Sequence, residues 1–138
     1  MKNDRLRVQL DGAYAEAIGR AVFVFARLEW DAIWICEKLD PGYINNLGTK
    51  TAGRIANDLT RLTTMLPTGA RFAPHCAEFK RLVDIRNKLL HGKPGTAVNG
   101  DQNLIDRGVP WTIEKINDAA DEFSTAQIDL NPLMHSLP

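Results

Sequence analysis

Apolar and polar residues recur along most of the chain at the three- and four-residue steps of helices. From about Asp11 to Leu39 runs a proline-free segment, closed by the turn signal Asp40-Pro41-Gly42. Tyr14, Ala17, Val24, Leu28, Ala32, Ile35 and Leu39 line one face of this first helix, and Phe23, Trp30 and Trp34 lie nearly opposite. Arg20, Arg27, Asp31 and Lys38 leave only a narrow wet stripe. A helix apolar almost all round is buried on several sides. Phe23, Trp30 and Trp34 read as a subunit interface, since aromatic side chains make good anchors; an intramolecular core is the alternative.

Residues 41–50 read as a loop, with Thr49 or Thr51 placed to cap a second helix. That helix carries Ala52, Ile55, Ala56, Leu59, Leu62 and Leu66 on one face and ends at Pro67-Thr68-Gly69. Arg54, Asp58 and Arg61 fall on its solvated side. A third helix runs from Phe72 or Ala73 to His91, with Phe72, Cys76, Phe79, Leu82, Val83, Leu89 and Leu90 on its apolar face. Gly92 is the expected left-handed stop, with Pro94 beyond it. Residues 92–110 are rich in glycine; Asn99-Gly100 is placed to close a small hairpin between Thr96–Val98 and Asn103–Ile105. Thr112 caps a last helix, with Trp111 and Ile116 at staple spacing. Ile113, Ile116, Ala120, Phe123 and Ile128 are its apolar positions, and Asn131-Pro132 is its expected end. The fold class is therefore all-α. Four main helices form an up-and-down bundle, with a long loop or small hairpin after the third.

A length of 138 residues suits one domain, residues 1–138, with a core over about 12–130 and loosely attached termini. The net charge is zero, so no global basic field points to nucleic acid; any such contact must be local. No apolar run approaches the roughly 20 residues that span a bilayer, so no membrane partner is expected. The opening Met1-Lys2-Asn3-Asp4-Arg5 lacks a following apolar signal core. Cys36 and Cys76 sit in apolar helical context as core residues, which implies reduced thiols and a cytoplasmic protein. Three histidines and two cysteines without ligand spacing argue against a metal site, and no cofactor is expected.

Arg86 changes the picture. It falls within roughly 40° of the apolar stripe of the third helix. A guanidinium there is costly unless it is paired or faces a wet cleft. Glu29, stranded among Ile18, Val22, Phe25 and Cys36 on the first helix, is its natural partner. Such a pair would lock the two helices together. His91 lies in the last turn, where the helix dipole favours imidazolium. Asn87, four residues before it, can orient the imidazole or a phosphate.

The run Arg86-Asn87-Lys88-Leu89-Leu90-His91-Gly92 resembles the R-N-x-x-x-H segment of the HEPN (higher eukaryotes and prokaryotes nucleotide-binding) superfamily of small helical bundles. The preceding order is similar too: a long first helix with a central acid, an amphipathic second helix, then the motif helix. The resemblance covers roughly residues 12–130. It implies a homodimer whose motif helices face each other across a cleft. It also implies a metal-independent endoribonuclease of toxin or anti-phage defence type, with RNA as substrate and an antitoxin protein as a further partner. Arg86 and His91 take the catalytic positions, Asn87 the accompanying polar one, and Glu29 an auxiliary one. Lys88 and Lys93 are placed to contact phosphate, as is Arg107. A HEPN-like module that only binds a nucleotide or a protein is the alternative. Arg86 and His91 are five residues apart, roughly 140° around a regular helix. Either the helix loosens at Gly92, or a twofold axis brings Arg86 of one subunit to His91 of the other.

Overall fold

The computed structural model describes residues 10–138; the expected loose attachment of the first residues lies outside that range. The chain is mostly helical, with a small antiparallel sheet: α1 (Gly12–Leu39), α2 (Ala52–Thr64), α3 (Ala73–Leu90), β1 (Lys93–Thr96), β2 (Gln102–Asp106), β3 (Val109–Pro110) and α4 (Ile113–Ser136). Two short 3₁₀ segments, Tyr43–Thr49 and Gly69–Arg71, precede α2 and α3. The first of them occupies the stretch expected to be a loop.

The caps explain where the helices begin. Asp11 accepts the Tyr14 N–H at 3.2 Å, Thr51 the Arg54 N–H at 3.2 Å and Thr112 the Lys115 N–H at 3.2 Å. Each satisfies a donor that has no partner inside its own helix. Trp111 and Ile116, on either side of the last cap, are both buried.

Packing makes α1 central. It lies against α2 and α4, and α3 also touches both of these. Phe25 joins three helices: its ring stacks on Phe79 of α3 at 6.2 Å and meets Phe123 of α4 edge-on at 5.1 Å. Tyr14 fixes the start of α1 to the sheet. Its hydroxyl donates to the Trp111 carbonyl at 2.6 Å and accepts the Leu104 N–H at 2.8 Å. Phe23, Trp30 and Trp34 are not part of this core; they are 67%, 47% and 38% exposed, with the two indoles in edge-to-face contact at 5.9 Å.

Several expectations are corrected. Asp31 is buried, not on the wet stripe, and accepts from Gln127 Nε2 at 2.7 Å and Asn131 Nδ2 at 3.2 Å. The same contact accounts for α4. The helix does not end at Asn131-Pro132 but runs through to Ser136. Pro132 removes one backbone N–H. Asn131 is held by Asp31, and Leu133, Met134 and Leu137 still bury their side chains. Lys38 Nζ donates to the Leu137 carbonyl at 2.9 Å, so the C-terminal residues are docked rather than loose. Ile128, counted among the apolar positions of α4, is exposed, as is Leu90 on α3. The second helix stops at Thr64, three residues before Pro67.

Gly92 is not left-handed: Gly42, Gly100 and Gly108 are the glycines with positive φ. A Cβ on Gly92 would stand 3.0 Å from Leu104 Cβ and 3.2 Å from the Leu89 carbonyl oxygen. The glycine is there for close approach of β2 to the end of α3, not for a backbone angle. The hairpin is also offset. Asn99 and Gly100 sit within a wider turn, closed by the Ala97 N–H to the Asp101 carbonyl at 2.8 Å, so β1 pairs Lys93 with Ile105 through Thr96 with Gln102. A third strand, not expected, follows the tight turn at Arg107 (φ 47°) and Gly108 (φ 81°). Both central residues have positive φ, which suits the twist of a two-residue hairpin.

Candidate active site

The last two turns of α3 present Arg86, Asn87 and Lys88. The helix continues to Leu90, with His91 as its cap residue. Arg86 is half-buried and lies with its guanidinium carbon 5.3 Å from the centre of the Phe25 ring. The ring's negative face attracts the cation, and the stack fixes the plane of the fork. Nη1 of Arg86 donates to Asn87 Oδ1 at 2.9 Å. Among the described residues, that is the guanidinium's one hydrogen bond.

Glu29 lies near Arg86 but does not pair with it. No ion pair joins the two, which corrects the expected lock between the first and third helices. Burial pushes the Glu29 carboxyl above the ordinary glutamate value, and the Arg86 charge draws it part of the way back. The physical reason is competition: Arg86 is held over Phe25 and by Asn87, so its fork is turned to partners other than the carboxylate. The two groups still feel each other's charge.

His91 is exposed. Its backbone N–H bonds the Asn87 carbonyl at 2.9 Å, and no hydrogen bond engages its imidazole among the described residues. Asn87 is thus the hinge of the cluster. Its side chain holds Arg86, and its backbone holds the residue that carries the imidazole. Helical backbone through Leu90 keeps Arg86 and His91 roughly 140° apart. The structure brings together Arg86, Asn87, Phe25 and the flank of Glu29, and leaves His91 outside that set. Lys88 and Lys93 are exposed on either side of His91, and Arg107 is exposed in the β2–β3 turn.

None of these residues lines the hollows of about 340 and 440 Å³ elsewhere on the surface. Among the described residues no group of three or more His, Cys, Asp or Glu is placed to hold a metal ion. Both cysteines are buried and unpaired; burial pushes the Cys36 thiol up to about 12. No helix among the described residues is long and apolar enough to cross a membrane.

Phe25 was missed as part of the site. The signal was present, because Phe25 lies one turn before Glu29 on the same side of α1. An aromatic there competes with the acid for the guanidinium. Compared with protein-family models, with curated proteins and with solved structures, the chain matches none.

Proposed function

We propose that the chain is a HEPN-type endoribonuclease of the toxin or anti-phage defence kind, and that it works as a homodimer of up-and-down four-helix bundles. The observation that carries this reading is Arg86. Its guanidinium is half withdrawn from water and oriented by Phe25 and Asn87, yet no carboxylate is bonded to it, although Glu29 stands nearby. A cation so placed suits an oxyanion brought by a substrate.

In this reading the ribose 2′-oxygen attacks the adjacent phosphorus. An imidazole takes the 2′-proton, and the bond to the 5′-oxygen breaks as that oxygen gains a proton. The products are a 2′,3′-cyclic phosphate and a free 5′-hydroxyl. Imidazole is the side chain suited to proton transfer near neutral pH, and His91 carries the one at the motif helix's end. Arg86 stabilises the charge on the non-bridging oxygens. Lys88 and Lys93, exposed beside His91, suit contacts to flanking phosphates. The angular separation of Arg86 and His91 on one helix is why two subunits are invoked. The exposed row of Phe23, Trp30 and Trp34 on α1 is the surface that suits the second copy.

The test is cleavage of a fluorescent single-stranded RNA by the purified chain in excess EDTA. Wild type is expected to cleave, leaving a cyclic phosphate. His91→Ala is expected to lower the rate about 10²–10⁴-fold, and Arg86→Ala about 10²–10³-fold, with circular dichroism unchanged. Light scattering is expected to show a dimer that Trp30→Glu with Phe23→Glu splits, with activity lost in parallel. A wild type that leaves every RNA intact, or a His91→Ala variant that cleaves normally, overturns the proposal.

A further inference from the structure

A hollow of about 340 Å³ lies where the starts of α1 and α4 meet the hairpin turn, apart from Arg86 and His91. Asn103, on β2 opposite Gly95, lines it and is only 7% exposed. Tyr14 is buried beside it with its hydroxyl fully committed to Trp111 and Leu104. Asn103 is different. Among the described residues no hydrogen bond engages its side-chain amide, and its polar atoms are not sealed off from the hollow. An amide so placed, with its side chain withdrawn from bulk water and its polar atoms open to the hollow, is completed there by water or by a ligand group that reproduces water's bonds.

The rim carries Asp11, Asp101 and Glu114, and no Lys or Arg lines the hollow. Asp11 caps α1, and Asp101 accepts from Asn99, but each carboxylate keeps lone pairs to spare. Two helix N-termini also point here and oppose a cation. Each contributes roughly +0.5 of a charge, about +1 together, against about −3 from the carboxylates. The net field favours a cation. The described residues offer no cluster suited to a metal ion, so the fitting cation is one that brings its own N–H donors.

We propose that this hollow binds a guanidinium group. A planar fork with five N–H donors suits a hollow lined by an amide oxygen and carboxylates, and it sheds water more readily than an ammonium. The group can belong to a small free guanidine or to an arginine side chain of another protein. A second, open hollow of about 510 Å³ shares Asp11, Asp101 and Gln102 and continues past Gly100. It gives the rest of either ligand a path outward. This site is independent of the ribonuclease reading.

The experiment is a titration of the full ¹⁵N-labelled chain with L-argininamide, with a capped Gly-Arg-Gly peptide, with L-lysinamide and with magnesium chloride. Argininamide or the peptide is expected to shift the Asn103 side-chain amide signals saturably, with Kd on the order of 1 mM or tighter. Asp101→Asn, in an exposed turn, is expected to weaken this about tenfold, and Asn103→Leu to abolish the saturable shifts of the backbone amides of Gln102, Ile113 and Glu114, which line the same hollow. Tighter binding of the peptide assigns an arginine side chain as the ligand, and equal or weaker binding assigns a free guanidine. The proposal is overturned if no saturable shift occurs, if lysinamide or magnesium does as well, or if folded Asp101→Asn binds unchanged.

Discussion

Asp58 and Arg86 are both charged groups partly withdrawn from water, and the chain surrounds them differently. Asp58 was expected on the solvated side of α2. Instead it ties the 3₁₀ segment to that helix. It accepts from the Tyr43 hydroxyl and Lys50 Nζ at 2.8 Å each, and from Arg61 at 3.4 Å. Lys50 also sits 4.3 Å above the Tyr43 ring. Burial pushes the Asp58 carboxyl up, but the bonds from Lys50 and Tyr43 outweigh it and hold the group below its ordinary value. Arg86 has one side-chain bond, one ring and a nearby acid that does not close on it. A saturated charge is architecture. One that is oriented but left open is free to meet something from outside, and that contrast separates the two corners more clearly than burial does.

The contrast is open to breaking at its strong end first. Asp58→Ala leaves the Tyr43 hydroxyl and Lys50 without their shared acceptor, and is expected to destabilise by about 2–3 kcal/mol. The pH dependence has a definite sign. The folded carboxyl lies below its unfolded value near 3.8, so its contribution is complete above that pH and is lost as pH falls through the folded pKa. Denaturant titrations at neutral pH and at acid pH should show the variant's deficit shrinking in acid. A deficit below about 1 kcal/mol at neutral pH would mean that this corner is a solvated face after all.

Arg86→Ala tests the other side. Losing one neutral acceptor bond and a ring stack is expected to cost about 1 kcal/mol of stability. Had Arg86 been one half of a buried ion pair with Glu29, removal would cost about 3–5 kcal/mol. Chemical denaturation distinguishes the two. The larger figure would make Arg86 architectural and remove the main support for a substrate phosphate there.

What the sequence made legible follows the same line. Periodicity located all four helices, because each buries one face; caps such as Thr51 and Thr112 marked their starts. It misplaced the end of α4, because Asn131 is held by a residue 100 positions earlier and no local rule carries that. Asp31 and Asp58 were read as solvated for the same reason: their partners are on other elements. Gly92 was expected for its backbone freedom, whereas packing against Leu104 explains it. At the candidate site, the isolation of Arg86 and Glu29 in apolar surroundings was legible from the helical wheel. Their failure to pair was not, since it depends on where the Phe25 ring stands between α1 and α3.

Glu29 gives the smallest effect and the sharpest sign. Its folded carboxyl lies above its unfolded value near 4.5, with burial as the larger cause and the Arg86 charge opposing it. Below that pH the group is neutral in both states and contributes nothing. As pH rises through the folded pKa, ionising a half-buried carboxyl lowers stability, and the loss then levels off. Glu29→Gln removes this cost. The variant should therefore match wild type well below pH 4.5 and exceed it at neutral pH by a few tenths of a kcal/mol, about 0.5. In an Arg86→Ala background the gain should grow, because the opposing charge is gone. A Glu29→Gln variant less stable than wild type at neutral pH would reverse the sign. It would mean that the carboxylate and guanidinium close on each other in solution, and that Arg86 is as fully satisfied as Asp58.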